Sequence, residues 1–138
     1  MASGNSRQYK ILLVDDYPPV RRIVKALIEA NPELLVVGEL SDGSELLQFL
    51  ETSTAEMVIL DISMPFMSGL EVARRIKEEH PEVKVLMLSI HKFREYVERA
   101  IAAGAEGYLL KEQAGDELLP AITSLRAGES YISTHFSN

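Results

Sequence analysis

Three carboxylates, one hydroxyl and one ammonium hold most of the chemistry this chain could do. Asp15-Asp16, Asp61, Ser89 and Lys111 each stand at the end of a short apolar run: Lys10–Val14, Met57–Leu60, Lys84–Leu88 and Gly107–Leu110. A short apolar run bounded by turn residues suits a strand buried on both faces. If those strands are parallel, their carboxyl ends lie on one sheet edge, where open α/β sheets bind ligands. Turn capping would explain a single aspartate. It does not explain a lysine arriving at the edge that already holds three acids.

These residue types suit phosphoryl chemistry. Hard divalent cations such as Mg²⁺ take oxygen ligands and usually only one or two protein carboxylates. Asp16 and Asp61 can supply them, with a backbone carbonyl just after Asp61. A carboxylate can also act as nucleophile and carry a phosphoryl group as an aspartyl-phosphate. Transfer then depends on positioning and on charge stabilisation at the phosphoryl oxygens, to which the metal, Lys111 and Ser89 can contribute.

The elements that must position these groups alternate in type. Pro18-Pro19 after the acidic pair suits a helix start, and Val20, Ile23, Val24, Leu27 and Ile28 keep the spacing of an amphipathic helix. Leu35–Leu40 reads as a second strand, and Glu45–Glu51 as a helix burying Leu46, Phe49 and Leu50. A helix marked by Leu70, Ala73 and Ile76 follows Met57–Asp61. Another, lined by Phe93, Val97, Ala100 and Ile101, follows Lys84–Ser89 and ends at Gly104. The last helix carries Leu118, Ile122 and Leu125. Pro120 inside it would delete a hydrogen bond, so a start near Asp116 is expected. Residues 130–138 show no periodicity and read as tail. Five strands alternating with five helices imply an α/β fold, a five-stranded parallel sheet with helices on both faces.

Composition narrows the function classes. The 138 residues make about one domain and carry 14 Lys plus Arg against 21 Asp plus Glu, a formal net charge of −7. That balance is poor for binding nucleic acid or an anionic membrane. With no cysteine, disulfides and thiolate metal sites are excluded, and a reducing, cytoplasmic setting fits. The apolar runs are too short to span a bilayer. Met1–Gln8 lacks the apolar stretch of a signal peptide and reads as a disordered leader.

Taken together, the motifs resemble the response-regulator receiver domain of two-component signalling. The resemblance rests on Asp15-Asp16, on Asp61 with Met64-Pro65 and Gly69, on Ser89, and on Tyr108 three residues before Lys111. It covers residues 9–128, leaving 129–138 as tail or the start of a linker. It implies the flavodoxin-like strand order 2-1-3-4-5 and a phosphorylation-activated switch that accepts its phosphoryl group on Asp61 from a sensor histidine kinase. It implies that Asp15, Asp16, Asp61 and the Ser63 backbone carbonyl form the Mg²⁺ site, with Lys111, Ser89 and Tyr108 as catalytic and switch residues. The chain would catalyse only its own phosphorylation and dephosphorylation, and would not be a metabolic enzyme.

Leu88–His91, Gly107–Glu112 and the ending Arg126–Ser133 are similar to the receivers that precede a LuxR/NarL-type helix-turn-helix output domain. A transcriptional output through a domain outside this chain is therefore expected, with a possible homodimer and no DNA bound by the chain alone. A Mg²⁺-dependent phosphatase that forms an aspartyl-phosphate is the alternative. Such enzymes want a second acid two residues past the nucleophile, where this chain has Ser63.

Overall fold

The computed structural model describes residues 7–62 and 68–133. Among them, five α-helices alternate with strands of one parallel sheet. The strands are β1 (Tyr9–Val14), β2 (Leu34–Leu40), β3 (Met57–Asp61), β4 (Lys84–Ser89), β5 (Gly107–Leu110) and β6 (Tyr131–Ile132). The helices are α1 (Pro18–Glu29), α2 (Leu46–Thr52), α3 (Gly69–Glu79), α4 (Arg94–Ala102) and α5 (Ala114–Arg126). The sheet order is 2-1-3-4-5-6.

Side-chain alternation divides the core into two layers. In β1, Leu12 and Val14 face one side of the sheet and Ile11 and Leu13 the other; in β3, Val58 and Leu60 oppose Met57 and Ile59. The first set packs with Leu46 and Leu50 of α2, Val72 and Ile76 of α3 and Val97 of α4. The second packs with Val24 and Ile28 of α1 and Leu118, Ile122 and Leu125 of α5. Two buried faces explain why β3 reads as a continuous apolar run rather than an alternating one. They also bring the carboxyl ends of β1, β3, β4 and β5 to one edge.

Two expectations differ from the structure. The first is the start of the last helix. It begins at Ala114, not near Asp116, because a 3₁₀ turn over Lys111–Gln113 winds straight into it, the Ala114 N–H donating to the Lys111 carbonyl. Pro120 therefore lies inside α5. Pro120 and Asp116 are both exposed, so water can bond the carbonyl that the proline leaves without its helical donor.

The second is the strand count. Residues 131–132 form a sixth strand, parallel to β5, with Tyr131 opposite Gly107 and Ile132 opposite Tyr108. The Tyr131 N–H donates to the Glu106 carbonyl at 3.2 Å and the Ser133 N–H to the Tyr108 carbonyl at 2.8 Å. A two-residue strand shows no period. Its pairing is set by the free edge of β5 rather than by a pattern of its own.

Candidate phosphoacceptor site

Asp15 sits just past β1. Its N–H still pairs with the Leu40 carbonyl of β2 at 3.0 Å. Its carboxylate Oδ1 then accepts from the Tyr17 N–H at 2.9 Å, a local turn that short acidic side chains favour. Pro18 and Pro19 start α1 immediately afterwards. The loop holding Asp15 and Asp16 is thus tied by the ladder on one side and the helix start on the other. Asp15 is buried, while Asp16 is exposed at the rim.

Asp61 is the last residue of β3 and is 3% exposed. Its placement depends on Gly69, the first residue of α3. The Gly69 N–H donates to the Ile62 carbonyl at 3.1 Å. A Cβ on Gly69 would lie 2.4 Å from the Asp61 carbonyl oxygen and 2.6 Å from the Ile62 Cα. Only glycine lets the helix start come that close to the strand end. Ser68 completes the start of the helix by accepting from the Glu71 N–H.

Lys111 joins the acids. Its Nζ lies 3.1 Å from Asp15 Oδ2 and 3.3 Å from Asp61 Oδ2. Burial works against the ammonium, but the Asp61 and Asp15 carboxylates outweigh it and hold its pKa above the ordinary value. Asp15, Asp16 and Asp61 each bring a carboxylate oxygen within 4.8 Å of the others. Asp15 Oδ2 is buried and receives no well-directed hydrogen bond, so it keeps acceptor capacity beside its charge partner. A cluster of carboxylate oxygens with one short of donors fits a hard divalent cation such as Mg²⁺. The Ser63 carbonyl, expected to complete the set, lies outside the described residues.

Ser89 ends β4 with its side chain fully buried. Its Oγ accepts from the His91 N–H at 2.9 Å. Tyr108 on β5 is 1% exposed, and its hydroxyl donates to the His91 carbonyl at 2.7 Å. Burial pushes the Tyr108 phenol above its ordinary pKa, against a smaller opposing effect from the Ser89 hydroxyl. The phenol is therefore a stable donor at neutral pH. Ser89 and Tyr108 meet through the backbone of one loop residue.

Arg21 and the His91 backbone add to the site. Arg21 of α1 donates from Nη1 to the Asp15 carbonyl at 2.5 Å, and its Nε lies 3.6 Å from Glu39. His91 serves through its backbone, and its ring stacks on Tyr96 at 4.1 Å with the planes 9° apart. Arg21 stands on the first turn after the acidic loop, which is a signal of proximity. A backbone carbonyl leaves no such signal.

Known proteins place the chain in a family. Residues 11–123 match the response regulator receiver domain. The chain belongs to that family. It is 36% identical over 130 residues to the nitrate/nitrite response regulator protein NarL of Escherichia coli K12, covering 94% of this chain and 60% of that protein. It is 36% identical over 128 residues to the transcriptional regulatory protein DegU of Brevibacillus brevis, covering 93% and 54%. The receiver thus spans a little over half the length of these curated relatives. Among solved structures, it superposes on a LuxR-family two-component response regulator from Aurantimonas sp. SI85-9A1 with a TM-score of 0.88. That pair is 32% identical and covers 92% of this chain and 91% of the other. The signal receiver domain of the putative response regulator NarL from Mycobacterium tuberculosis gives 0.84 at 28% identity, covering 89% and 99%. The receiver fold and a signalling role follow from these matches. No helix among the described residues is long and apolar enough to cross a membrane.

Proposed function

We propose that this receiver is a phosphorylation-controlled switch whose acceptor is Asp61. The observation that carries the reading is the sharing of Lys111 by Asp15 and Asp61, at 3.1 and 3.3 Å, beside the exposed Asp16. An Asp61 carboxylate oxygen attacks the phosphorus of a phosphohistidine on a sensor kinase. The new O–P bond forms as the N–P bond breaks, and the electron pair returns to the imidazole nitrogen, which takes a proton from water. Lys111 offsets the charge added at Asp61, and the Ser89 hydroxyl supplies a donor to a phosphoryl oxygen. Asp15, Asp16 and Asp61, whose carboxylate oxygens lie within 4.8 Å of one another, would hold Mg²⁺, which would neutralise charge on the phosphoryl oxygens. The chain catalyses its own phosphorylation and later hydrolysis, and no metabolic reaction.

A phosphorylated receiver of this subfamily acts in the cytoplasm, through a homodimer and a DNA-binding output domain encoded outside these residues. Support comes from the transcriptional relatives, which are longer than this chain. The net charge of −7 argues against DNA binding by the receiver itself. Intact-mass measurement after incubation with acetyl phosphate and Mg²⁺ tests the central step. One hydroxylamine-labile phosphoryl group should appear, and Asp61→Asn should abolish it. An adduct that persists in Asp61→Asn, or that forms equally in EDTA, would sink the assignment.

A further inference from the structure

The exit strand β6 touches the switch residue directly. The Ser133 N–H donates to the Tyr108 carbonyl at 2.8 Å, and Ile132 is the register partner of Tyr108. Ile132 also packs against the core layer that contains Tyr108. From Tyr108 the contacts run on toward the acceptor. Its hydroxyl donates to the His91 carbonyl, and the His91 N–H donates to Ser89 Oγ. Three hydrogen bonds therefore connect residue 133 to the Ser89 hydroxyl, at the end of the strand next to the one that ends in Asp61.

The way β6 is held is suited to opening and closing. Gly128, with φ +85°, turns the chain back after α5. Beyond it, the two-residue β6 is held by its short ladder with β5, flanked by the Tyr131 and Ser133 N–H bonds, and by the Tyr131 hydroxyl, which donates to Glu117 Oε1 at 3.1 Å. Glu117 is itself buried on α5. Burial and the Glu117 partner raise the Tyr131 pKa, so the phenol keeps its proton. One feature works against closure: the Ser133 hydroxyl is buried with no hydrogen-bond partner among the described residues, which penalises the docked state. A two-residue strand at the edge of a sheet belongs to the low-stability part of a fold.

We propose that β6 is a positioning element for Tyr108, and that docking of β6 on β5 and occupation of the Asp61 site favour each other. If Tyr108 left its buried position, it would break the bond to the His91 carbonyl and open a void beside Ile132. Packed interiors tolerate such a void poorly, so the phenol and the strand shift as a unit. The segment that leads out of the receiver would then sense the phosphoryl group through Tyr108. This rests on the phosphoacceptor reading above.

Thermodynamic reciprocity supplies the test. The whole chain is titrated with beryllofluoride in Mg²⁺, as wild type, Ser133→Pro, Tyr131→Phe and Ser133→Ala. Amide exchange at Ser133 is followed with and without the ligand. Beryllofluoride should slow exchange at Ser133. Ser133→Pro lacks the N–H that bonds Tyr108, and should bind beryllofluoride about 5-fold or more weakly. Tyr131→Phe should weaken it in the same direction, and Ser133→Ala, which removes the stranded hydroxyl, should strengthen it. A merely structural role would lower the melting temperature of the proline variant without moving its affinity. Wild-type affinity in folded Ser133→Pro, or unchanged exchange at Ser133, overturns the proposal; should the proline variant not fold, Tyr131→Phe decides by the same readout. If wild type binds no beryllofluoride at all, the phosphoacceptor reading falls and this proposal with it.

Discussion

Lys111 balances the acidic pocket, and its pKa shows the balance. Its folded value is raised above 10.5 by the Asp61 and Asp15 carboxylates acting against burial. A raised folded pKa contributes stability that is fully present below the unfolded value and is lost as pH climbs through the folded one. Near neutral pH, Lys111→Met should therefore lower the unfolding free energy by about 1–3 kcal/mol, the range for stripping a buried carboxylate of its partner. At a pH well above the ordinary lysine range the gap between variant and wild type should narrow, and it closes once pH has passed the raised folded value, because wild type has then lost the same charge. Urea unfolding at the two pH values checks both statements. Arg21 acts on the neighbouring acids without touching a ligand. It holds the Asp15 carbonyl and so orients the peptide that joins Asp15 to Asp16. Arg21→Ala should weaken Mg²⁺ binding about 10-fold, as removal of an outer support usually does. Calorimetric titration would show it, and an unchanged affinity would reduce Arg21 to packing. Of the site, the groups with their own charge or hydroxyl were legible in the sequence. Asp15, Asp16, Asp61 and Lys111 lie together at one sheet edge, and Ser89 ends the neighbouring strand β4. Arg21 and the His91 carbonyl were not legible, because their roles depend on which backbone atoms the fold brings near.

Among the elements, legibility follows burial. β3, β4 and β5 span the residues their apolar runs indicate, Met57–Asp61, Lys84–Ser89 and Gly107–Leu110. Each is covered on both faces, so polarity changes abruptly where burial stops. β6 has two residues and no such contrast. The start of α5 is hidden for a different reason: Pro120 points to a late start, whereas a 3₁₀ turn over Lys111–Gln113 winds straight into the helix. Pro120 nonetheless sits where the rule says it should weaken the helix, since residue 120 cannot donate to the Asp116 carbonyl. Its ring is exposed and packs no core. Pro120→Ala should therefore stabilise the receiver by up to about 3 kcal/mol. The gain will be smaller where water already bonds the Asp116 carbonyl and where the proline stiffens the unfolded chain. Thermal unfolding with a higher midpoint for the alanine variant is the expected result. A lower midpoint would mean that the pyrrolidine ring supports a contact that its exposure does not suggest.

For the whole molecule, the acidic pocket is a local strain within an already acidic chain of net charge −7. Three carboxylates meet, and among the described residues a single ammonium, Lys111, is paired with them. Asp16 is the member to remove, because it is exposed and holds up no neighbour by packing. With its oxygen within 4.8 Å of the other two acids, each repulsion amounts to roughly 1–3 kcal/mol for effective dielectrics between water and a protein surface. Asp16→Ala should thus raise the melting temperature of the metal-free receiver, whereas most substitutions lower it. Mg²⁺ binds the folded pocket and hardly the unfolded chain, so it stabilises by RT ln(1 + [L]/Kd). At ten times Kd that is about 1.4 kcal/mol, or about 5 °C for a domain of this size. Wild type should show that rise, and Asp16→Ala should lose most of it. The two effects oppose each other in sign: the same substitution helps the protein without metal and deprives it of help when metal is present. Four melting curves, of wild type and Asp16→Ala in EDTA and in Mg²⁺, are sufficient. A variant that melts lower than wild type in EDTA and still gains the full increment from Mg²⁺ would mean that Asp16 belongs to no shared site. The ion would then have to bind elsewhere, and Asp61 would lose the neighbour that equips it to accept a phosphoryl group.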